Sequence, residues 1–258
     1  MSRGRALITG ASAGLGSEFA RQLAAQGKDL VLVARRAAAL ETLAGTLRDE
    51  FGIDVDVIAA DLSDARAPAA LYETTVARGL DVDMLINNAG SAGPDLLAVR
   101  DWTAQKSHLD LMMTSYALLC HFFVPAMRER GYGRVLNVAS VAGQLTVAGD
   151  CNYGPTKTYL IALSRSLSAT VRDDGVHVMA LCPGFTHTDF HQSERLAKMK
   201  RNSPGFFWYD ADVVVREGLA ALEKGKAVYV SGRLYRYLMP VIRMPFVRPM
   251  LKGLGIKI

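Results

Sequence analysis

The sequence predicts a doubly wound α/β fold. Short strands that are apolar along their whole length alternate with helical segments, and a glycine-rich turn joins the first strand to the first helix. Strands of that kind, rather than alternating ones, belong to a parallel sheet covered by helices on both faces.

Taken in order, Ala6-Leu7-Ile8 reads as a short buried strand, and the loop Thr9-Gly10-Ala11-Ser12-Ala13-Gly14-Leu15-Gly16 follows directly. A helical pattern then runs from about Ser17 to Gln26, closed by Gly27 as C-cap. The strand Leu30–Ala34 leads into an Ala/Leu/Glu/Arg helix to about Phe51, then the strand Val55–Ala59, a helix over 65–77 and the strand Met84–Ile86. The second half repeats the rhythm: helix 103–130, strand Arg134–Val138, helix Tyr153–Val171, strand Val176–Leu181, helix Ala211–Leu222 and strand Ala227–Val230. There is no linker and no short repeat. One domain is therefore expected over residues 1–232, followed by a tail, 233–258.

Bulk properties fit that expectation. The chain has 258 residues, enough for one large core, and half of them are hydrophobic against 21% charged, the balance of a folded domain. Met1-Ser2-Arg3-Gly4-Arg5 runs straight into the first strand, without a signal-peptide pattern. No run reaches the roughly 18 uninterrupted apolar residues of a spanning helix. Three widely spaced cysteines, Cys120, Cys151 and Cys182, read as reduced, buried, non-catalytic thiols of a cytoplasmic protein. The net charge of +5 is localised: the tail holds six cations and no acid, which leaves −1 for the rest. A near-neutral body with a basic tail and no recognition motif argues against a nucleic-acid-binding domain.

The glycine loop sits where backbone N–H groups and a helix N-terminus can hold a pyrophosphate, with Gly10, Gly14 and Gly16 supplying the turn and the close approach. The end of the second strand selects the nucleotide. An acid there would accept the ribose hydroxyl of NAD, whereas an arginine accommodates the 2′-phosphate of NADP. The sequence reads Val33-Ala34-Arg35-Arg36, so NADP(H) is expected over NAD(H), with Arg35 ahead of Arg36 as the phosphate ligand.

Tyr153 and Lys157 lie one helical turn apart on one face, which would set a cation beside a phenol and favour the phenolate. An unperturbed tyrosine, with a pKa of about 10, is otherwise a poor acid near neutrality. Ser140 follows a strand's C-terminal end, where open α/β sheets place their ligands, and its hydroxyl could hold a substrate oxygen.

With these residues in place the chain resembles the short-chain dehydrogenase/reductase superfamily, in its single-domain, NADP-preferring form. The matching signatures span roughly residues 5 to 230: Thr9-Gly10-x-x-x-Gly14-x-Gly16, Asp61-Leu62, Asn87-Asn88-Ala89-Gly90, Ser140, Tyr153-x-x-x-Lys157, and Pro183-Gly184 with Thr186 and Thr188. The resemblance implies a Rossmann-like sheet of about seven parallel strands. It implies a nucleotide site that includes Gly10, Ser12, Ala13, Gly14, Leu15, Gly16 and Arg35, with Asp61 and Leu62 flanking the adenine. Asn88, Ala89 and Gly90 would line its floor, Lys157 would hold the nicotinamide ribose, and Pro183 to Thr188 would orient the carboxamide. The implied chemistry is hydride exchange between NADP(H) and a carbonyl or secondary alcohol, with Ser140, Tyr153 and Lys157 catalytic, in a homodimer or homotetramer. One position departs from the family. Where an asparagine carbonyl usually anchors a relay water, counting back from Pro125 and Met127 reaches Met112, with Thr114 or Ser115 as substitutes. This leaves an NADP-binding regulatory or membrane-associated protein as the alternative.

Between residues 188 and 212 the family carries a lid over the substrate, and here Phe190, Phe206, Phe207, Trp208 and Tyr209 suggest an apolar ligand, or packing onto the core. His187 and His191 are four apart but lack a third ligand in metal spacing, so no metal site is expected. His108, His121 and His177 fall within expected helices or strands and read as structural. In the tail, Pro240, Pro245 and Pro249 should break the chain into short pieces, whose cations and apolar residues suit an anionic membrane surface, a pocket cap or a subunit contact.

Overall fold

The computed structural model of the chain describes residues 4–187 and 205–242. Seven strands form one sheet, every neighbouring pair parallel. They are β1 (Arg5–Thr9), β2 (Asp29–Ala34), β3 (Val55–Ala59), β4 (Met84–Asn87), β5 (Gly133–Val138), β6 (Val176–Cys182) and β9 (Val228–Val230), in the order β3-β2-β1-β4-β5-β6-β9. The order reverses between β1 and β4, and ligands of doubly wound sheets bind beyond the strand ends at such a reversal.

Helices cover both faces, as apolar strands require. On one side α1 (Gly14–Ala25), α2 (Ala37–Phe51) and α7 (Ala211–Glu223) bury Phe19, Leu23, Leu40, Leu47, Val215 and Leu222. On the other, α3 (Ala67–Ala77), α5 (Ser115–Glu129) and α6 (Tyr153–Val171) bury Leu71, Leu119, Phe123, Met127, Leu160 and Val171. A leucine buried as fully as Leu23 or Leu40 contributes roughly 2 kcal/mol from removed apolar surface.

Three local features differ from the sequence-based expectation. The helix expected over 103–130 is α4 (Trp102–Leu109), one wide π turn (Asp110–Thr114) and α5. Together they make an apolar rod, Trp102–Glu129, long enough to cross a membrane, but Met112, Tyr116, Leu119, Phe123 and Met127 are buried on this protein's own sheet, as in a core helix. A two-stranded ribbon pairs β7 (Phe185–Thr186) with β8 (Trp208–Tyr209). Finally, the start of the tail is a helix, α8 (Arg233–Ile242), which runs through Pro240 instead of stopping there. Burial of Tyr235 and Met239 anchors it and outweighs the lost backbone bond. Pro245, Pro249 and the rest of the tail lie outside the described residues.

Candidate active site

The β1–α1 turn is built from both sides of the sheet reversal. Gly10 and Gly14 take left-handed backbone angles, φ +65° and +57°. A β-carbon on Gly16 would lie 2.1 Å from the Gly10 carbonyl oxygen, so Gly16 closes the turn and stays behind the cavity wall. Thr9 Oγ1 accepts the amides of Asn88 at 2.9 Å and Ala89 at 3.0 Å, and Asn88 Nδ2 donates to the carbonyls of Thr9 and Gly10. Asn88 therefore braces the glycine loop with its side chain while bordering the cavity with Ala89 and Gly90.

Both arginines after β2 reach the rim. Arg35 is largely exposed, 3.9 Å from the Asp61 carboxylate, which also accepts from Ser63. Arg36 Nη2 donates to Ser12 Oγ at 3.1 Å, so it faces the glycine loop more directly than the spacing alone indicates.

Ser140 follows β5 and caps a short turn (Val141–Gln144), its Oγ accepting the Ala142 amide at 3.1 Å. The Asp150 carboxylate accepts the Gly154 amide in the first turn of α6 and so fixes the start of the helix at Tyr153. Tyr153 is hydrogen-bonded to Ser140. Burial pushes the phenol up to about 12; the Ser140 bond opposes this, while Asp150 and Cys182 add to it. Lys157 is buried, its Nζ donating to the Val138 carbonyl at 2.7 Å, and burial pulls it down to about 7. Nζ stands 5.6 Å from the Tyr153 ring centroid and 5.7 Å from that of Tyr116. The expected acidification of the phenol is corrected here: desolvation dominates both groups, and the ammonium's hydrogen bond goes to the backbone.

Pro183, Gly184 and Thr186 border the same cavity; Thr188, Phe190 and His191 lie outside the described residues. The Tyr235 ring lies over Gly184, where a β-carbon would meet Cε2 at 2.0 Å. Tyr235 Oη accepts the Phe185 amide at 3.3 Å and donates to the Phe207 carbonyl at 3.0 Å. Phe185 stacks on Trp208 at 5.0 Å, and Phe207 and Tyr209 pack on Tyr235. Phe207, Trp208 and Tyr209 thus join a small core rather than the cavity wall, while Phe206 is exposed.

The α4–π–α5 segment holds what residue spacing missed. Tyr116 Oη donates to the Ala89 carbonyl at 2.9 Å; it sits four residues after Met112, on the same helix face, and that offset was the available signal. Met112 is buried behind the wall, its sulfur accepting the Ser91 amide. Neither proposed substitute borders the cavity, and Ser115 spends its hydroxyl on the Leu111 carbonyl. His108 does border it, buried and within reach of Ser91 Oγ at 3.3 Å. His177 bonds the Leu222 carbonyl, His121 lies beside Phe122, and His187 tilts over Trp208. Among the described residues no cluster could hold a metal. Cys120 and Cys182 are buried thiols, pushed up to about 12 and about 11 by desolvation. Cys151 departs from expectation: it lies on the loop before α6 and is exposed.

These pieces enclose one cavity of about 900 Å3, running from Arg35 and Arg36 past Gly14 and Gly90 to Ser140, Tyr153, Lys157 and His108. The short chain dehydrogenase pattern matches residues 5–199. The chain belongs to the short-chain dehydrogenase family. It is an oxidoreductase of that family. Among its most similar relatives is a 3-oxoacyl-(acyl-carrier-protein) reductase of Rickettsia prowazekii (strain Madrid E), 30% identical over 233 residues, covering 88% of this chain and 92% of the relative. A short-chain dehydrogenase from Sphingobium yanoikuyae in complex with NADPH superposes with a TM-score of 0.80 at 29% identity, covering 98% of this chain and 93% of that one. The bulky-bulky ketone specific alcohol dehydrogenase from Comamonas testosteroni gives 0.77 at 26% identity, covering 100% and 96%.

Proposed function

We propose that the chain exchanges hydride between NADP(H) and a ketone or secondary alcohol, with Ser140, Tyr153 and Lys157 as its catalytic residues. The observation that carries this reading is the hydrogen-bonded Ser140–Tyr153 pair, with Lys157 one turn on, in the same cavity as two arginines and a glycine-rich helix N-terminus. The cavity suits the dinucleotide. Its rim carries no acid at the end of β2, and Gly10 and Gly14 open a path to backbone amides. Arg35 and Arg36 with Ser12 would hold the 2′-phosphate; Ala13, Gly14 and Leu15 the pyrophosphate; Asp61 and Leu62 the adenine. Ala89, Gly90, Pro183, Gly184 and Thr186 would surround the nicotinamide. NADP(H) supplies or accepts the hydride when bound.

The protein's own part is proton transfer and orientation. Tyr153, held protonated by burial, gives its phenolic proton to the carbonyl oxygen, and Ser140 bonds the same oxygen as charge develops. Lys157 fixes the α6 face against Val138 and places its positive end beside the phenol ring. Leu96, Leu111, Leu145 and Val147 give the remaining wall an apolar part, which supports a hydrophobic ketone. The test is loss of NADPH absorbance against a panel of hydrophobic ketones: turnover with NADPH and little with NADH supports the reading, and no turnover with any ketone rejects it.

A cytoplasmic homodimer or homotetramer belongs to the same reading. The free thiols support the location, and the exposed Leu97 and Trp102 support association. Sedimentation velocity tests the assembly. Of the lid expected over 188–212, residues 188–204 lie outside the described residues, and the start of the tail packs on the body through Tyr235 and Met239. Peripheral membrane contact through the tail is the weakest element of the proposal, because α8 turns Tyr235 and Met239 into the protein. Co-sedimentation with anionic vesicles tests it.

A further inference from the structure

Asn152 stands just before Tyr153 at the start of α6, a place where an asparagine ordinarily caps its own helix with its side chain. Here it does not. The Asp150 carboxylate accepts the Gly154 amide, and the Asn152 side chain, 8% exposed, reaches to other elements. Its Nδ2 donates to the Pro94 carbonyl at 3.1 Å and to Gln105 Oε1 at 2.8 Å. Gln105, on α4 and 2% exposed, donates in turn from Nε2 to the carbonyls of Asp95 and Val99, each at 3.0 Å. The carbonyls fix the direction of every bond: only an amide nitrogen can donate to them, which leaves Gln105 Oε1 to accept from Asn152.

These bonds tie a stretch of cavity wall to the proposed proton donor. Pro94, Asp95 and Leu96 border the same cavity as Asn152 and Tyr153. From Asp95 to Arg100 every residue of that loop is exposed, so it has little burial of its own to hold it in place. Its internal bonds are local: the Val99 amide donates to the Asp95 carbonyl, and the Asp95 carboxylate accepts the amides of Leu97 and Ala98. The buried amide pair is what fastens this exposed loop to the residue beside Tyr153. Breaking it would strand carbonyls and amides away from water, so the pair holds or fails as a unit.

We propose that Gln105 and Asn152 are positioning residues that act together, holding the Pro94–Leu96 wall at a set distance from Tyr153 and so favouring ketones whose apolar substituent reaches that wall. This rests on the reading of Ser140 and Tyr153 as the pair that binds the reacting carbonyl. A substituent resting on a fixed wall keeps its carbonyl at the phenol; once the wall shifts, ketones that touch it lose orientation and ketones too short to touch it do not. The test compares benzylacetone with butanone, measuring kcat/KM at saturating NADPH for wild type, Gln105→Met, Asn152→Leu and the double variant. The ratio of the two values should favour benzylacetone in wild type and fall roughly tenfold in each single variant. In the double variant it should fall no further, because either change alone already breaks the unit. NADPH binding by fluorescence and the melting midpoint check that the site and fold persist. A ratio that stays the same in the single variants, with both ketones losing equally, would show amides that serve folding alone and overturn the proposal. Losses that multiply in the double variant, or a wild-type ratio that does not favour benzylacetone, would overturn it too. If Gln105→Met does not fold, Gln105→Asn takes its place: the amide is kept but withdrawn by one methylene, the same ratio must fall, and an unchanged ratio overturns the idea. Wild-type protein that reduces neither ketone would sink the functional reading itself, an outcome distinct from these.

Discussion

Lys157 gives its short hydrogen bond to the Val138 carbonyl, 2.7 Å away, while its ammonium faces the rings of Tyr153 and Tyr116. A lysine buried this way, with its pKa pulled down to about 7, costs stability while it must carry charge. Below about pH 7 it is protonated in both states and the full cost applies. Between that value and the ordinary one of 10.5 the unfolded chain binds the extra proton, so folding stability rises with pH across this window. Urea unfolding at stepped pH should show that rise in wild type and a flatter profile in Lys157→Met.

Tyr153→Phe removes the proton donor but keeps the ring. Ketone reduction should fall roughly 10²- to 10⁴-fold, with NADPH binding by fluorescence kept within about threefold. Retained turnover would move the acid elsewhere.

The phenol held up at about 12 gives the two reaction directions opposite pH behaviour. Reduction uses the protonated form and should stay flat from neutral into alkaline solution. Alcohol oxidation needs the phenolate, so its kcat/KM should climb about tenfold per pH unit below that value. Steady-state profiles in both directions settle the point; a plateau for oxidation near neutrality would contradict it.

Arg35 and Arg36 meet the rim from different sides, one near Asp61 and one on Ser12. Arg35→Ala should raise the KM for NADPH about 10- to 100-fold and leave NADH nearly unaffected, since charge-assisted bonds to a phosphate are worth about 1.5–3 kcal/mol. Arg35→Asp should reverse the preference. Initial rates with both nucleotides provide the comparison.

The sheet and the start of α6 were legible because uniform strand burial writes itself as runs such as Leu30–Ala34 and Val176–Leu181, and the glycine loop has few other uses. Contacts made through side-chain direction were not. Lys157 stands at the right spacing from Tyr153, yet nothing in that spacing reports a carbonyl at Val138 competing for the same nitrogen. His108 lies within a helix, and a helical pattern cannot say that its ring bonds Ser91, packs against Gly93 and borders the cavity. Asn88 borders the cavity, and no spacing reports that its amide is taken up by the carbonyls of Thr9 and Gly10. The tail helix was hidden by Pro240, whose local preference yields to the burial of Tyr235.

The fit of Tyr235 over Gly184 binds two distant stretches of sequence into one heritable unit. A swap that imports the loop at Pro183–Thr186 from a relative without α8, or α8 without its loop, would bring either a clash or a hole. Engineers who recombine this protein with its cousins should move both pieces together, and natural drift at either one is expected to be answered at the other.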